Sequence, residues 1–238
     1  MPKQTKFHVK LLSYTPNAEQ IIAAAIRQCY SPVSASELFE KIPLNKRKQL
    51  INQVINSGHT STVEHALFTF AVEGVSRAYS HQQVRHRIAS YSQQSQRYVD
   101  FNRSDSFEFI IPPLIEKNKK LKQEFIKDME YVFNRYKYYS QNGIPAEDAR
   151  FVLPNACETK IVISMNPRSL YNFLKERMCI RAQWEIRAVA NIMLKLVRGK
   201  APNLFSHVGP SCETELVCRQ GKRSCGKWKN INGSRLIN

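Results

Sequence analysis

Glycine is scarce in this chain, 8 of 238 residues. None of the eight falls in a GxGxxG or GxxxxGK(S/T) pattern, so neither a Rossmann dinucleotide turn nor a P-loop is encoded. No apolar run approaches the ~18 residues that cross a bilayer. The start, Met1-Pro2-Lys3-Gln4-Thr5-Lys6, lacks the apolar centre of a signal peptide. The chain therefore reads as a cytoplasmic protein with no membrane partner. The six cysteines, Cys29, Cys157, Cys179, Cys212, Cys218 and Cys225, form no CxxC pair. The spacings between Cys212, Cys218 and Cys225 match no common zinc pattern, so no metal site is expected and the thiols read as reduced. Acids are also few. There are 19 Asp and Glu against 36 Lys and Arg, a net charge of +17. Such a field recruits anions: nucleic acid, a membrane surface or phosphorylated small molecules.

Neither internal repeats nor a low-complexity linker divides the chain, and its length is enough to bury a core. The expectation is one α+β domain over residues 1–238, with a polar tail from about residue 200 ordered only by contacts. It has a small, mostly antiparallel sheet flanked by helices. His8 to Tyr14 reads as a strand. Asn17 with Gln20, and Ser34 with Glu37, form two capping boxes at helix starts. Asn45 is placed as the N-cap of a helix that stops at Gly58. Ala66 to Val72 reads as a buried strand, Val75 to Arg85 as a helix, and Phe107 to Ile111 as a strand halted by Pro112-Pro113. Leu121, Phe125, Met129, Val132 and Tyr136 recur at helical steps and mark one long amphipathic helix running to Gly143. Thr159 to Met165 is a strand, Asn166-Pro167 opens a helix, and Ala182 to Val197 is the final helix.

The densest signal runs from Gln82 to Tyr98. Three arginines, one histidine, three serines and five glutamines lie there without an acid. Arginine offers a planar fork of donors to phosphate oxygens, while Gln and Ser suit sugar hydroxyls and base edges. At ~100° per residue, Arg85, His86 and Arg87 diverge on a helix and cannot grip one phosphate. Ala78, Gln82 and Arg85 share a face. The triplet thus either serves different ligand groups or sits where the helix breaks. Alone, it is a basic helix end. An RNA- or DNA-binding role rests on charge alone, since the tyrosines form no stacking platform and no RRM, KH or zinc-knuckle pattern is present.

Arg85-His86-Arg87, seven residues, then Ser95 resembles the RHR-x7-S signature of the flavin-dependent thymidylate synthases. Gly58-His59-Thr60-Ser61-Thr62-Val63-Glu64-His65 resembles the family's GH…EH segment, and Ala149-Arg150-Phe151-Val152-Leu153-Pro154 its AR-x-VLP. Asn166-Pro167-Arg168-Ser169-Leu170 through Asn172-Phe173-Leu174 and Arg177, then Ala182-Gln183-Trp184-Glu185-Ile186-Arg187, resembles its NxRSL…AQWEI block. The four blocks stand in family order over roughly residues 55 to 190.

The resemblance implies reductive methylation of dUMP to dTMP in a homotetramer with FAD at subunit interfaces. Methylenetetrahydrofolate supplies the carbon, NADPH reduces the flavin, and tetrahydrofolate is released. Ser61, Arg85, His86, Arg87, Gln93, Asn166, Arg168 and Asn172 are implied at FAD. Gln82, Arg85, Gln93, Gln94, Ser95, Gln96, Arg97 and Arg150 are implied at dUMP. Arg177 is implied at the uracil, favouring ionisation at N3, and His59 beside the flavin or folate. Two positions depart from some members: Arg181 replaces a His and Gln93 a Glu, both making the site more positive. A flavoprotein of this fold without synthase activity is the alternative, against which Arg85, Ser95, Arg150 and Arg177 all stand intact.

The residues themselves agree with this chemistry. Four anionic reactants call for many arginines and few acids. No acid–base dyad is evident, as expected where a cofactor carries the hard step. A cation near uracil O2 and N3 stabilises charge as C5 turns nucleophilic, and Arg177 does not lose its proton. Without an activating base, Ser95 reads as a phosphate ligand and not a nucleophile. Cys179 reads as a core or interface thiol, His65 as structural, and Trp184 and Ile186 as core. On the helix from Asn166, Leu170, Phe173, Leu174 and Arg177 fall on one side, with Arg168 and Asn172 nearly opposite.

Overall fold

The computed structural model describes residues 2–101 and 107–237; Met1, residues 102–106 and Asn238, all inside the expected domain, lie outside the described residues. In chain order the elements are β1 (Lys3–Gln4), β2 (His8–Tyr14), α1 (Ala18–Gln28), α2 (Ala35–Lys41), α3 (Leu44–Ser57), a 3-10 turn at Thr60–His65, β3 (Phe68–Ser76) and α4 (Arg77–Gln83). There follow β4 (Ser90–Gln93), β5 (Glu108–Phe109), α5 (Pro113–Glu116), α6 (Lys119–Gln141), α7 (Ala146–Ala149), a 3-10 turn at Arg150–Val152 and β6 (Glu158–Met165). The last are α8 (Pro167–Arg177), α9 (Trp184–Arg198), α10 (Pro202–Phe205), α11 (Ser211–Thr214), β7 (Val217–Cys218) and β8 (Arg235–Leu236). The main sheet is antiparallel, with strand order β2-β3-β6-β4. Among the described residues no helix is long and apolar enough to cross a membrane.

The chain alternates between two compact units. Unit 1 comprises Met1–His8, Ala71–Arg85 and Tyr91–Val162; unit 2 comprises Val9–Phe70, His86–Ser90 and Ile163–Asn238. The core of unit 1 is aromatic: Phe101, Phe107, Phe109, Phe133 and Tyr136 pack with Ile111, Met129 and Cys157. The Phe107 and Phe133 rings stack 5.1 Å apart. α6 presents Met129, Phe133 and Tyr136 to this core, one face of the expected long helix. Tyr136 donates to Asp100 Oδ1 at 3.0 Å. Burial, then that carboxylate, push its phenol up to about 12. Gly74 is required where it stands: at φ 67° a Cβ there would lie 2.4 Å from Lys6 O. Its amide donates to the buried carboxylate of Glu158 at 2.9 Å.

Unit 2 is built on helices. α1 packs on α2 and α3, α8 on α9, and α9 on α10. Ile22, Ile51, Phe68, Phe173, Met193 and Phe205 are all buried there.

Several expected boundaries move, each for a local reason. Asn17 does precede α1, but in the left-handed region and without a side-chain cap. Its carbonyl takes the Gln20 and Ile21 amides, while the Gln20 side chain donates to Phe39 O instead of closing a capping box. At α2 only half the box forms. Ser34 Oγ accepts from Glu37 N, and the Glu37 carboxylate pairs with Lys41 at 2.6 Å. α3 begins at Leu44 because Pro43 fixes the extended entry; Asn45 lies inside the first turn. Ser76 ends β3 and caps α4 by accepting from Tyr79 N at 3.0 Å, so the expected helix loses Val75 and Ser76 to the strand. The strand at Phe107 to Ile111 shrinks to two residues because its partner β1 offers only Lys3 and Gln4. Gln183 caps α9, its Oε1 accepting from Glu185 N and Ile186 N at 3.0 Å each.

The tail after Lys200 is not merely a polar appendage. Leu204, Phe205, Val208, Val217 and Cys218 are buried. Phe205 meets Phe68 edge-on at 5.4 Å. Glu19 clamps Asn203 through its amide and side chain at 2.7 and 2.6 Å.

Candidate active site

α4 stops at Gln83, with Val84 as its C-cap. The Arg85-His86-Arg87 triplet therefore lies where the helix breaks, one of the two arrangements open to it. A buried network fixes the break: Gln83 Oε1 accepts from Tyr79 OH at 2.9 Å, and Tyr91 OH donates to Gln83 O at 3.1 Å. Gln82 and Arg85 remain exposed.

The other unit 1 candidates line up along β4 and β6. Gln93 Nε2 donates to Thr159 Oγ1 at 3.0 Å, and the Gln94 amide to Lys160 O at 2.9 Å. Gln96 Nε2 lies 3.5 Å from Cys157 Sγ. Ser95 Oγ accepts from the Arg97 amide at 3.2 Å, the geometry of a turn. Arg97 Nε pairs with Glu147 at 2.5 Å, a solvent-screened contact that a phosphate can replace. Arg150 donates from Nε to Glu147 O at 3.0 Å. Sequence reasoning passed over Arg77, the half-buried first residue of α4. Burial depresses its pKa, and the nearby Arg150 charge depresses it further. Its four-residue step from His81, and again to Arg85, was the available signal.

In unit 2, α8 gathers three separate sequence blocks. Asn166 caps the helix, its Oδ1 accepting from Ser169 N at 2.8 Å, so this amide oxygen already has a structural duty. Ser169 Oγ donates to Ile88 O and contacts His86 Nε2 at 2.8 Å. The direction of the His86–Ser169 bond follows the imidazole tautomer. Burial, the largest cause, lowers the His86 pKa, with Glu176 opposing and Arg177 assisting, so the ring is neutral near pH 7. Phe173 meets the imidazole edge-on at 5.6 Å.

Arg168 Nη1 pairs with Glu64 Oε1 at 2.6 Å, linking α8 to the Thr60–His65 turn. His59 and Ser61 are exposed on that turn. Leu170, Phe173 and Leu174 are buried, while Arg168 and Asn172 are exposed, as the helical phase requires. His86 qualifies the two-edge division: its ring contact with Phe173 puts it on the side of α8 that carries Arg177. Ser169, Glu64 and the wholly buried Glu185 of α9 are further residues not singled out from the sequence. Each lay inside a matched block, but the partners of Ser169 and Glu64 are remote in sequence. His65, read as structural, is exposed, whereas Ile186 is fully buried as expected.

The fold is that of an α+β protein whose candidate residues are arginines, amides and an imidazole, donors of the kind that suit anionic, hydrogen-bonding ligands. A family model described as thymidylate synthase complementing protein matches residues 10–203. A flavin-dependent thymidylate synthase of Clostridium tetani is 49% identical over 235 residues, covering 92% of this chain and 93% of its own. One from Geobacter sulfurreducens is 49% identical over 223 residues, covering 94% and 95%. A solved UMP/dUMP methylase, PolB from Streptomyces cacaoi bound with 5-Br dUMP, shares the fold: its TM-score is 0.75 at 22% identity, covering 85% of this chain and 94% of that one. The chain belongs to the flavin-dependent thymidylate synthase family.

Proposed function

We propose that this enzyme converts dUMP to dTMP, taking the carbon from methylenetetrahydrofolate and reducing power from NADPH through bound FAD, with tetrahydrofolate released. One observation carries the reading. The His86–Ser169 bond spans 83 residues and the Arg168–Glu64 pair spans 104, so three family blocks converge on α8.

The donor set fits a flavin dinucleotide. Arg87, Arg168 and Asn172 are exposed cations and amides suited to a diphosphate, and His86 adds a half-buried imidazole beside Arg87 in sequence. Ser61, Arg85, Gln93 and Asn166 complete the proposed FAD set. When bound, the flavin supplies the hydride that turns the transferred carbon into a methyl group.

Arg85, Arg150, Ser95 and Arg97 hold the dUMP phosphate and sugar, with Gln82, Gln93, Gln94 and Gln96 supplying amide contacts. Arg177 places a permanent positive charge at uracil O2 and N3, where negative charge grows as C5 becomes nucleophilic. His59 stands beside the flavin or folate. Ser95 binds and does not attack, since its Oγ is held in a turn. Because Arg168 and Asn172 point away from Arg177 on α8, we propose that they serve different active sites of a homotetramer. One domain over residues 1–238 is part of the same proposal, supported by a family model that spans residues 10–203. A cytoplasmic location is part of the same proposal.

The test is cofactor dependence. Flavin-stripped protein should form no dTMP, and activity should return only when FAD and a reductant are both added. Full activity without flavin would overturn the proposal.

A further inference from the structure

The end of α8, the turn that follows it and the C-terminal segment from Pro210 enclose a cavity of about 600 Å³. Cys179, Cys212, Cys218 and Cys225 all line it. All four are free thiols. Among the described residues, no three His, Cys, Asp or Glu side chains are arranged to hold a metal ion. A cluster of thiols without metal geometry, walled by Arg177 and Arg181, suits a different chemistry: exchange with an anionic disulfide drawn in by the arginines.

We propose that Cys179 and Cys212 form a reversible disulfide by exchange with a low-molecular-weight disulfide, tying the C-terminal segment to the turn that follows Arg177. The choice of pair rests on exposure within the cavity: Cys179 and Cys212 are its two half-buried thiols, lining the same space and open to a small solute. Cys218 is buried, with its Sγ 3.5 Å from Ser224 Oγ. Cys225 is exposed at the rim, and neither Cys29 nor Cys157 lines the cavity.

The exchange balances in two steps. The Cys179 thiolate attacks one sulfur of the small disulfide; that S–S bond breaks, and one small thiol leaves carrying a proton. Cys212 then loses its proton and attacks the Cys179 sulfur, expelling the second small thiol. Two protein thiols are oxidised, and one small disulfide is reduced to two thiols. Burial and Glu213 push the Cys212 thiol above its ordinary value, which suits it to the second role more than the first. Surface ion pairs hold part of the C-terminal segment. Its links to α8 and within itself include the solvent-exposed pairs Lys175–Glu215 and Lys227–Glu213.

Cys179 lies two residues beyond Arg177, so the bond restrains the helix end that carries the proposed uracil contact. That consequence for turnover rests on the proposed function; the disulfide itself does not. The experiment incubates full-length protein with oxidised glutathione, blocks free thiols, digests without reduction and maps linked peptides by mass spectrometry. One linked pair, Cys179 to Cys212, should dominate. It should vanish with dithiothreitol and in Cys179→Ser and Cys212→Ser, but persist in Cys29→Ser. dTMP formation should fall at least fivefold on oxidation, recover with dithiothreitol, and resist oxidation in Cys212→Ser. A Cys212–Cys218 link, glutathione retained only on Cys29 or Cys225, or stoichiometric zinc shielding all four thiols would each overturn the proposal. A Cys179–Cys212 link without loss of turnover would overturn its connection to Arg177. Protein that forms no dTMP even when reduced, yet forms the link, would refute the proposed function and leave the disulfide standing.

Discussion

Replacing Ser169 by Ala removes one oxygen and two hydrogen bonds. Ser169 is 2% exposed, and its hydroxyl joins His86 Nε2 to the Ile88 carbonyl. A hydrogen bond contributes about 1 kcal/mol net, and a buried group left without one costs about 1–3 kcal/mol. The two stranded groups are not equally dry. Ile88 is 67% exposed, so water reaches its carbonyl, while the half-buried His86 ring recovers less. The expected loss is therefore about 1–2 kcal/mol, a fall in urea midpoint of about 0.5–1 M at a slope near ~2 kcal/mol per M. Asn166 still caps the Ser169 amide, so α8 should keep its helical signal. With the His86 ring no longer held by Ser169, FAD affinity should fall about tenfold, equivalent to ~1.4 kcal/mol. Chemical denaturation, circular dichroism and a flavin titration on the same preparation decide the matter. An unchanged midpoint with unchanged FAD affinity would show that the serine neither supports nor orients His86.

The two depressed histidines predict a pH response. Burial lowers the pKa of both His86 and His207 below 6.5, so the unfolded chain binds more protons in the window just beneath that value. Stability should rise with pH through that window and level off above it, and the slope should shrink in His207→Gln; equal slopes in the two proteins would refute the assignment. A second prediction concerns shared sites. Arg168→Ala and Arg177→Ala, each inactive alone, should regain activity when dissociated and reassembled together, whereas mixed tetramers that stay inactive would place both residues in one site.

The sequence made α8 legible because its 3.6-residue phase, its N-cap and its Pro at the first turn all agree, and the buried Leu170, Phe173 and Leu174 follow that phase. The helix break at Arg85 was one of two options, and only the Gln83–Tyr79–Tyr91 network chose between them. Ser169 and Glu64 were invisible as positioning groups because their meaning depends on partners 83 and 104 residues away. Asn17 misled because an Asn can stabilise a helix start through left-handed backbone as well as through its side chain. The tail misled through composition: its polar residues surround a few apolar anchors, Leu204, Phe205 and Val217, that average hydropathy hides.

Release of tritium from 5-tritiated dUMP tests the central claim most directly, because the C5 hydrogen leaves only when the new carbon–carbon bond is completed. With methylenetetrahydrofolate, NADPH and FAD present, the protein should release tritium to water in step with dTMP formation, and Arg177→Ala should lose both at least a hundredfold while remaining folded. Folded, flavin-loaded protein that releases no tritium with every reactant supplied would contradict the account.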